Sequence, residues 1–310
     1  MKKTLRFARF LRPINLIMVF AVFWIFEYFL FEPYFATRGL GLLLNGYQLD
    51  LLALNTVLVA LAGYVINDWY DREIDAVNKP ERFLVAHPIP PKLFYTFYIG
   101  LLLAGFSIAV FLAIDLDYLQ WLWLYPVFTF GMWYYAATLK KKGIAGNILV
   151  SLAIAFIPWL LIIAELQNLQ SVVASKTDGL SDLFAHLLAI SALMFLSNLA
   201  RELLKDAEDA EGDASKNSAS VFLTKGLKKT RKLVFVIVLA LLGLEVLLLS
   251  QSSWMTEYFV GVGSIVVLTS AFALFKVRKM NVKQTFTELS VLLKLIMLFG
   301  MIQVLFLMPR

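Results

Sequence analysis

The chain has 310 residues, 60% of them hydrophobic and 16% charged, with a mean hydropathy of +0.77 and a net charge of +6. A soluble domain carries about 25% charged residues, so a water-soluble fold, an intrinsically disordered chain and a collagen-like fibre are excluded. There is no cysteine, which removes disulfides, thiolate catalysis and Cys-ligated zinc. The two histidines, His87 and His186, offer little for a histidine-based metal site or triad.

Crossing ~30 Å of hydrocarbon takes about 20 apolar residues in a helix. Nine runs meet that length: 15–35, 48–67, 93–113, 118–137, 147–167, 183–204, 232–250, 256–275 and 287–307. They are continuous and Leu-rich, unlike the alternating segments of about ten residues in a membrane barrel. The predicted fold is all-α and polytopic, with nine transmembrane helices. Met1-Lys2-Lys3 before the first run imitates a signal peptide, but the run is too long and no small-x-small site follows, so it reads as the first span.

The basic residues give the orientation. Ends and loops on the starting side hold 24 of the 28 Lys and Arg, beginning with Lys2, Lys3, Arg6, Arg9 and Arg12. The opposite side holds Arg38, Lys176 and Arg310, and Lys294 falls inside the last run. By the positive-inside rule the N-terminus is cytoplasmic and the C-terminus outside. The basic excess is therefore topological, and no nucleic-acid partner is expected. The longest extramembrane pieces, 68–92 and 205–231, are both cytoplasmic and rich in carboxylates.

The first of these begins Asn67-Asp68-Trp69-Tyr70-Asp71-Arg72-Glu73-Ile74-Asp75 and continues through Asn78, Lys79, Pro80 and Arg82. At about 100° per residue, Asn67, Asp71 and Asp75 share one helical face. The second runs from Arg201-Glu202 through Lys205-Asp206 to Asp209 and Asp213. On a continuous helix Glu202, Asp206, Asp209 and Asp213 fall within about 60° of one another. Stacked carboxylates repel unless a cation neutralises them, and Mg²⁺ favours oxygen ligands shared with substrate phosphates. Two such clusters at the bases of two spans, on one side of the membrane, point to a function rather than to solvated loop charge.

At these residues the sequence resembles the UbiA-type superfamily of intramembrane prenyltransferases. Its first motif, Asn-x-x-x-Asp-x-x-x-Asp followed by Asn-x-Pro-x-Arg, is matched by Asn67, Asp71, Asp75, Asn78, Pro80 and Arg82. Its second, Asp-x-x-x-Asp, is matched by Asp209 and Asp213, in a context with the additional Asp206 that is most similar to the digeranylgeranylglyceryl phosphate synthase branch. Arg12-Pro13, Asn15, Lys140 and Gly146-Asn147 match further landmarks. Phe83, Ala86-His87-Pro88, Asn217 and Ala219 depart from the usual pattern, and a lysine is displaced to Lys216.

The resemblance implies one transmembrane domain over residues 1–310, with helices around a central cavity and a site at the cytoplasmic face of the cell membrane. It also implies Mg²⁺-dependent transfer of a prenyl group from an allylic diphosphate to a lipid or aromatic acceptor. The implied metal ligands are Asn67, Asp71, Asp75, Asp209 and Asp213, with Asp206 as a further catalytic acid. Arg12, Asn15, Arg82, Lys140, Asn147, Tyr134 and Tyr135 are the implied substrate contacts. Lys140 lies in a Lys-Lys-Lys run that topology alone also accounts for, and Trp133, Tyr134 and Tyr135 equally suit an interfacial aromatic belt. Glu27 and Glu245 are isolated acids inside apolar runs, each a structural partner or a gate residue. Three functions are compatible with these features. They are prenylation of a prenylated glycerol phosphate, prenylation of an aromatic ring, and ion-coupled transport, which calls instead for acids near the midplane.

Overall fold

The computed structural model describes residue 7 and residues 10–175, 179–215, 219–251, 256–281 and 283–307. Lys2, Lys3, Arg6, Arg9, Lys176, Lys216, Asn217 and Arg310 lie outside the described residues. Among the described residues every regular element is helical. Seven helices are long and apolar enough to cross a membrane. Many of their large apolar side chains face outward, with Leu268 69% and Ile17 66% exposed, a surface suited to lipid rather than water.

The fourth and fifth expected spans are not single long helices. The fourth opens as a 3₁₀ stretch, Leu119–Trp123, and continues as Leu124–Ala137. The fifth is Ile144–Phe156 followed by Trp159–Ala164. Pro158 has no N–H to donate and pushes the preceding residue out of helical geometry, so the helix is interrupted there.

The chain divides into two compact units. The first comprises Met1–Ala21, Gly46–Leu149 and Asp209–Ser220. Its longest helix, Gly46–Asn78, has 33 residues and is about 50 Å long at 1.5 Å per residue. About 20 residues suffice for the hydrocarbon, so the helix leaves the apolar layer near Ile66 and its last three turns carry the first motif. The sequence reading ended this element at 67. The helix runs on because residues 68–78 contain no Gly or Pro to stop it, and it ends just before Pro80.

A core directly beneath the motif fixes its place. Ala62, Val65 and Ile66 of this helix pack with Phe10, Leu84, Phe94, Tyr98 and Ala136. Trp69 stacks on Phe94 of the Pro91–Asp115 helix, with ring centroids 4.1 Å apart. Phe83, one of the departures from the family pattern, packs edge-on against Phe7 at 5.2 Å and close to Phe10 at 5.4 Å. It thereby ties the loop after the first motif to the segment that leads into Arg12.

The second unit comprises Val22–Asn45, Val150–Glu208 and Val221–Arg310. Leu180–Glu208 packs against Val221–Gln251 and Lys283–Val304, and Glu257–Arg278 packs against the latter two. Gly226, at φ +73°, breaks the first turn of Val221–Gln251 from the rest, a conformation that costs a glycine little. Buried hydrogen bonds join the helices. Gln303 Nε2 donates to Glu245 Oε1 at 2.9 Å, and Asn198 Nδ2 to Ser151 Oγ at 3.0 Å.

Candidate active site

The two motifs meet within the first unit. The expectation that residues 202–213 form one continuous helix is corrected: Leu180–Glu208 ends at a bend on Asp209, and a short helix, Ala210–Ser215, follows. This short helix lies against the end of Gly46–Asn78. Asn78 makes the joint with both ends of its amide. Its Nδ2 donates to the Asp209 carbonyl at 2.7 Å, and its Oδ1 accepts from the Gly212 N–H at 2.8 Å. The approach is so close that a Cβ on Gly212 would stand 2.5 Å from Asn78 Nδ2 and 2.8 Å from the Ile74 carbonyl. Only glycine fits there.

Two carboxylates at the start of the first motif pair with cations. Asp68, 4% exposed, pairs with Arg12 and has Arg82 Nη1 at 3.6 Å. Asp71, also buried, pairs with Lys140. Asp75 lies in the field of Arg82, Asp71, Asp68 and Lys79. In the second motif Asp209 is held by Lys79, with Nζ 2.6 Å from Oδ1. Asp213 is buried, and burial pushes its carboxyl up to about 6; Lys140 works against that rise, while Asp209 and Asp71 add to it. Burial also opposes the charge on Lys140, but Asp71, Tyr135 and Asp213 outweigh it and hold the ammonium above its ordinary value. Asp71, Lys140 and Asp213 therefore share one electrostatic cluster drawn from both motifs.

The oxygen set suits a hard cation. Asn67 Nδ2 donates to Asp71 Oδ2 at 2.7 Å, as the one-face spacing requires. That leaves Asn67 Oδ1 buried with no hydrogen-bond partner among the described residues. A bare amide oxygen beside a carboxylate is what a divalent ion with oxygen preference can use. Among the described residues, however, no three acidic or histidine side chains form a ready-made metal cage. Asp68, Asp71 and Asp209 are paired with arginine or lysine instead.

The UbiA prenyltransferase family matches residues 34–295, which include both motifs. The chain belongs to that family. It is 34% identical over 200 residues to the digeranylgeranylglyceryl phosphate synthase of Korarchaeum cryptofilum, a segment covering 64% of each chain. The match thus spans just under two thirds of that relative's length. A solved digeranylgeranylglyceryl phosphate synthase superposes over 98% of both chains with a TM-score of 0.66 at 22% identity. A UbiA homologue from Archaeoglobus fulgidus bound to GPP and Mg²⁺ covers 96% of this chain and 99% of its own, with a TM-score of 0.57 at 15% identity. These two likenesses establish the UbiA fold.

The remaining sequence-predicted residues fall in several places. Lys140 sits in the 3₁₀ turn Leu139–Lys141, and Gly146 lets the Ile144–Phe156 helix approach that turn. A Cβ there would lie 3.0 Å from the Leu139 carbonyl and 3.1 Å from Lys140 Cα. Asn147, next in sequence, is buried in the same first helical turn, and Asn15 is half-buried in the first turn after Pro13. Tyr135 lies beside Lys140, whereas Tyr134 stacks on the exposed Phe130 with centroids 6.0 Å apart. Asp206 belongs to the last turns of Leu180–Glu208, in the second unit. Glu202 on the same helix is held by Arg201 at 3.1 Å and Lys205 at 2.6 Å.

Sequence reasoning overlooked Asp68 and the bridging role of Asn78. Asp68 stands about 100° from the Asn67 face, so a search for one metal-binding face passes over it. Its near-complete burial, which a charged residue accepts only when paired, is a tertiary property that left no signal in the sequence. Its partner Arg12 has φ +53°, a left-handed conformation that costs a non-glycine residue about 1–3 kcal/mol. The pair with Asp68 and the stacking of its guanidinium 4.6 Å over the Tyr64 ring hold it there.

Proposed function

We propose that this chain is a Mg²⁺-dependent membrane prenyltransferase that transfers an allylic prenyl group from its diphosphate to the hydroxyl of a prenylated glycerol phosphate. The observation that carries the reading is the Asn78 joint, which brings Asp209 and Asp213 to the end of the helix bearing Asn67, Asp71 and Asp75. The kinship with digeranylgeranylglyceryl phosphate synthases and the Mg²⁺ and GPP bound by the Archaeoglobus homologue support it. The two motifs, 134 residues apart at Asn78 and Gly212, serve a single catalytic domain over residues 1–310.

Mg²⁺ would be held by Asn67, Asp71, Asp75, Asp209 and Asp213, where it would neutralise the charge that develops on the departing diphosphate. Asp206, three residues before Asp209, completes the second motif. Arg12, Arg82 and Lys140 offer charge-assisted hydrogen bonds to the phosphate oxygens. Asn15 and Asn147 add polar contacts near them. Tyr134 and Tyr135 present π-faces to the allylic cation and its chain. A primary hydroxyl is a weak nucleophile, so cation formation drives the reaction and a strong base at the acceptor is not required. His87, whose ring lies edge-on against Phe83, is therefore not needed as a base.

The two interrupted helices also cross the membrane in this reading. Nine crossings place the N-terminus and both motifs on the cytoplasmic face of the cell membrane and the C-terminus outside, as the 24-to-3 distribution of Lys and Arg supports. A cysteine replacing Arg310 in this cysteine-free chain should react with an impermeant thiol reagent from outside; labelling only after permeabilisation rejects nine crossings. The reaction itself is tested by giving the purified protein geranylgeranyl diphosphate with geranylgeranylglyceryl phosphate or 4-hydroxybenzoate. Product from the lipid acceptor is expected, and prenylation of the aromatic acid alone rejects the acceptor assignment.

A further inference from the structure

Lys79 and Lys140 each end on a motif carboxylate. Lys79 Nζ contacts both oxygens of Asp209, 2.6 Å from Oδ1 and 2.7 Å from Oδ2, and Lys140 Nζ donates to Asp71 Oδ2. Asp71 and Asp209 are the leading acids of the two motifs. Arg12 and Arg82 instead both face Asp68. An ammonium is a compact point charge with freely rotating donors, unlike the planar guanidinium fork, so it can leave one anion for another without a geometric penalty.

Each lysine has room and reach to do so. Lys79 is the first residue after the Gly46–Asn78 helix, and its side chain and that of Asp209 are 29% and 26% exposed. Lys140 sits in a three-residue turn and is 27% exposed at the side chain. An ammonium and a divalent cation cannot both hold the same carboxylate oxygens at full strength. A tethered ammonium also competes at an effective concentration in the millimolar range or above.

We propose that Lys79 and Lys140 are exchangeable counter-ions of the two motifs. Each neutralises its aspartate while the donor is absent, and each passes to the donor's diphosphate when a divalent cation takes the carboxylate. This inference rests on the Mg²⁺-dependent prenyl-transfer reading and deepens it. A divalent ion arriving alone must pull two ammonium groups off their aspartates, and a diphosphate arriving alone meets carboxylates with no metal. Arriving together, they give every charge a partner. The lysines thereby couple metal binding to donor binding, and Lys79, which lies between the family's Asn and Pro, acquires a role in holding the donor.

The test titrates Mn²⁺ into detergent-purified full-length protein, reading free Mn²⁺ by electron paramagnetic resonance, with and without inorganic diphosphate. In K79M and K140M, donor-free Mn²⁺ affinity should rise about fivefold, the strength of a half-exposed ion pair. Diphosphate affinity in the presence of Mn²⁺ should fall in both. K79R keeps the charge, so its donor-free Mn²⁺ affinity should stay at the wild-type value. If K79M does not fold, K79Q carries the same comparison. A lysine with a merely structural role leaves Mn²⁺ affinity unchanged or weakens it on removal, and either result overturns the inference. Wild-type protein that takes up neither Mn²⁺ nor diphosphate overturns the prenyl-transfer reading itself. Wild-type uptake of both, with unchanged donor-free affinity in the variants, overturns this inference alone.

Discussion

In the unit that carries the motifs, Asp68, Asp71 and Asp209 are held by arginine and lysine side chains. In the other unit, Glu165 and Glu245 are held by neutral donors. Glu165, fully buried, accepts from the Leu43 N–H at 2.9 Å, the Leu44 N–H at 3.2 Å and Asn168 Nδ2 at 2.6 Å. Glu245 accepts from Gln303 at a point where Gly263 has no space for a side chain. A carboxylate paired with a mobile cation can trade it for another cation while charge stays balanced. A carboxylate that satisfies backbone N–H groups cannot be released without leaving those donors bare, at about 1–3 kcal/mol each. The first arrangement suits chemistry and the second fastens a loop to a helix.

Mutations at the two kinds of acid should separate accordingly. The largest effect belongs to Asp71→Asn and Asp209→Asn, which keep shape and remove charge. Diphosphate release from a labelled allylic diphosphate should fall on the order of 10³-fold, with the protein still folded in detergent. Activity near wild type in either variant would place these acids with the scaffold and break the comparison. Asn78→Ala comes next. It frees the 209–212 backbone without touching any acid, and a displacement of about 1 Å costs on the order of 10²-fold in kcat. Normal kcat in that variant would show that the second motif is held by something else.

A smaller effect follows from pH. The Asp213 carboxyl is pushed up to about 6, so above pH 6 it is ionised and open to a cation, and below pH 6 a proton competes. Mn²⁺ affinity should therefore weaken by up to about tenfold per unit as pH falls from 6 toward 4, and change little between 7 and 8. In Asp213→Asn that slope should become shallower, and an unchanged slope would assign the titration to another group. The smallest effect on turnover belongs to the scaffold. Glu165→Gln should cost about 1–3 kcal/mol of stability, read as a lower unfolding temperature, while kcat stays within about twofold. Loss of turnover without loss of stability would move Glu165 into the chemistry.

Much of this was legible in the residues themselves. The all-α membrane class follows from uninterrupted apolar runs, and the shared face of Asn67, Asp71 and Asp75 follows from their spacing and reappears as the Asn67–Asp71 hydrogen bond. The missed features share a cause. The bend at Asp209, the burial of Asp68 and the Asn78 bridge depend on groups 56 to 134 residues away in sequence, and local periodicity carries no information about them. Phe83 departs from the family pattern in sequence, and its packing on Phe7 and Phe10 is visible only in the structure.

The sequence by itself determined the solvent this protein lives in, the all-helical class, the bias of its basic residues and the identity of its acidic groups. Each is a property of composition or of spacing within a few turns, where helix geometry is fixed. Tertiary structure alone decided which acid meets which cation. Asp209 meets Lys79 where a glycine at 212 and an amide at 78 allow two distant backbones to touch, and Asp71 meets Lys140 across 69 residues of sequence. Electrostatic pairing is short-ranged and acts through space, so it waits on packing.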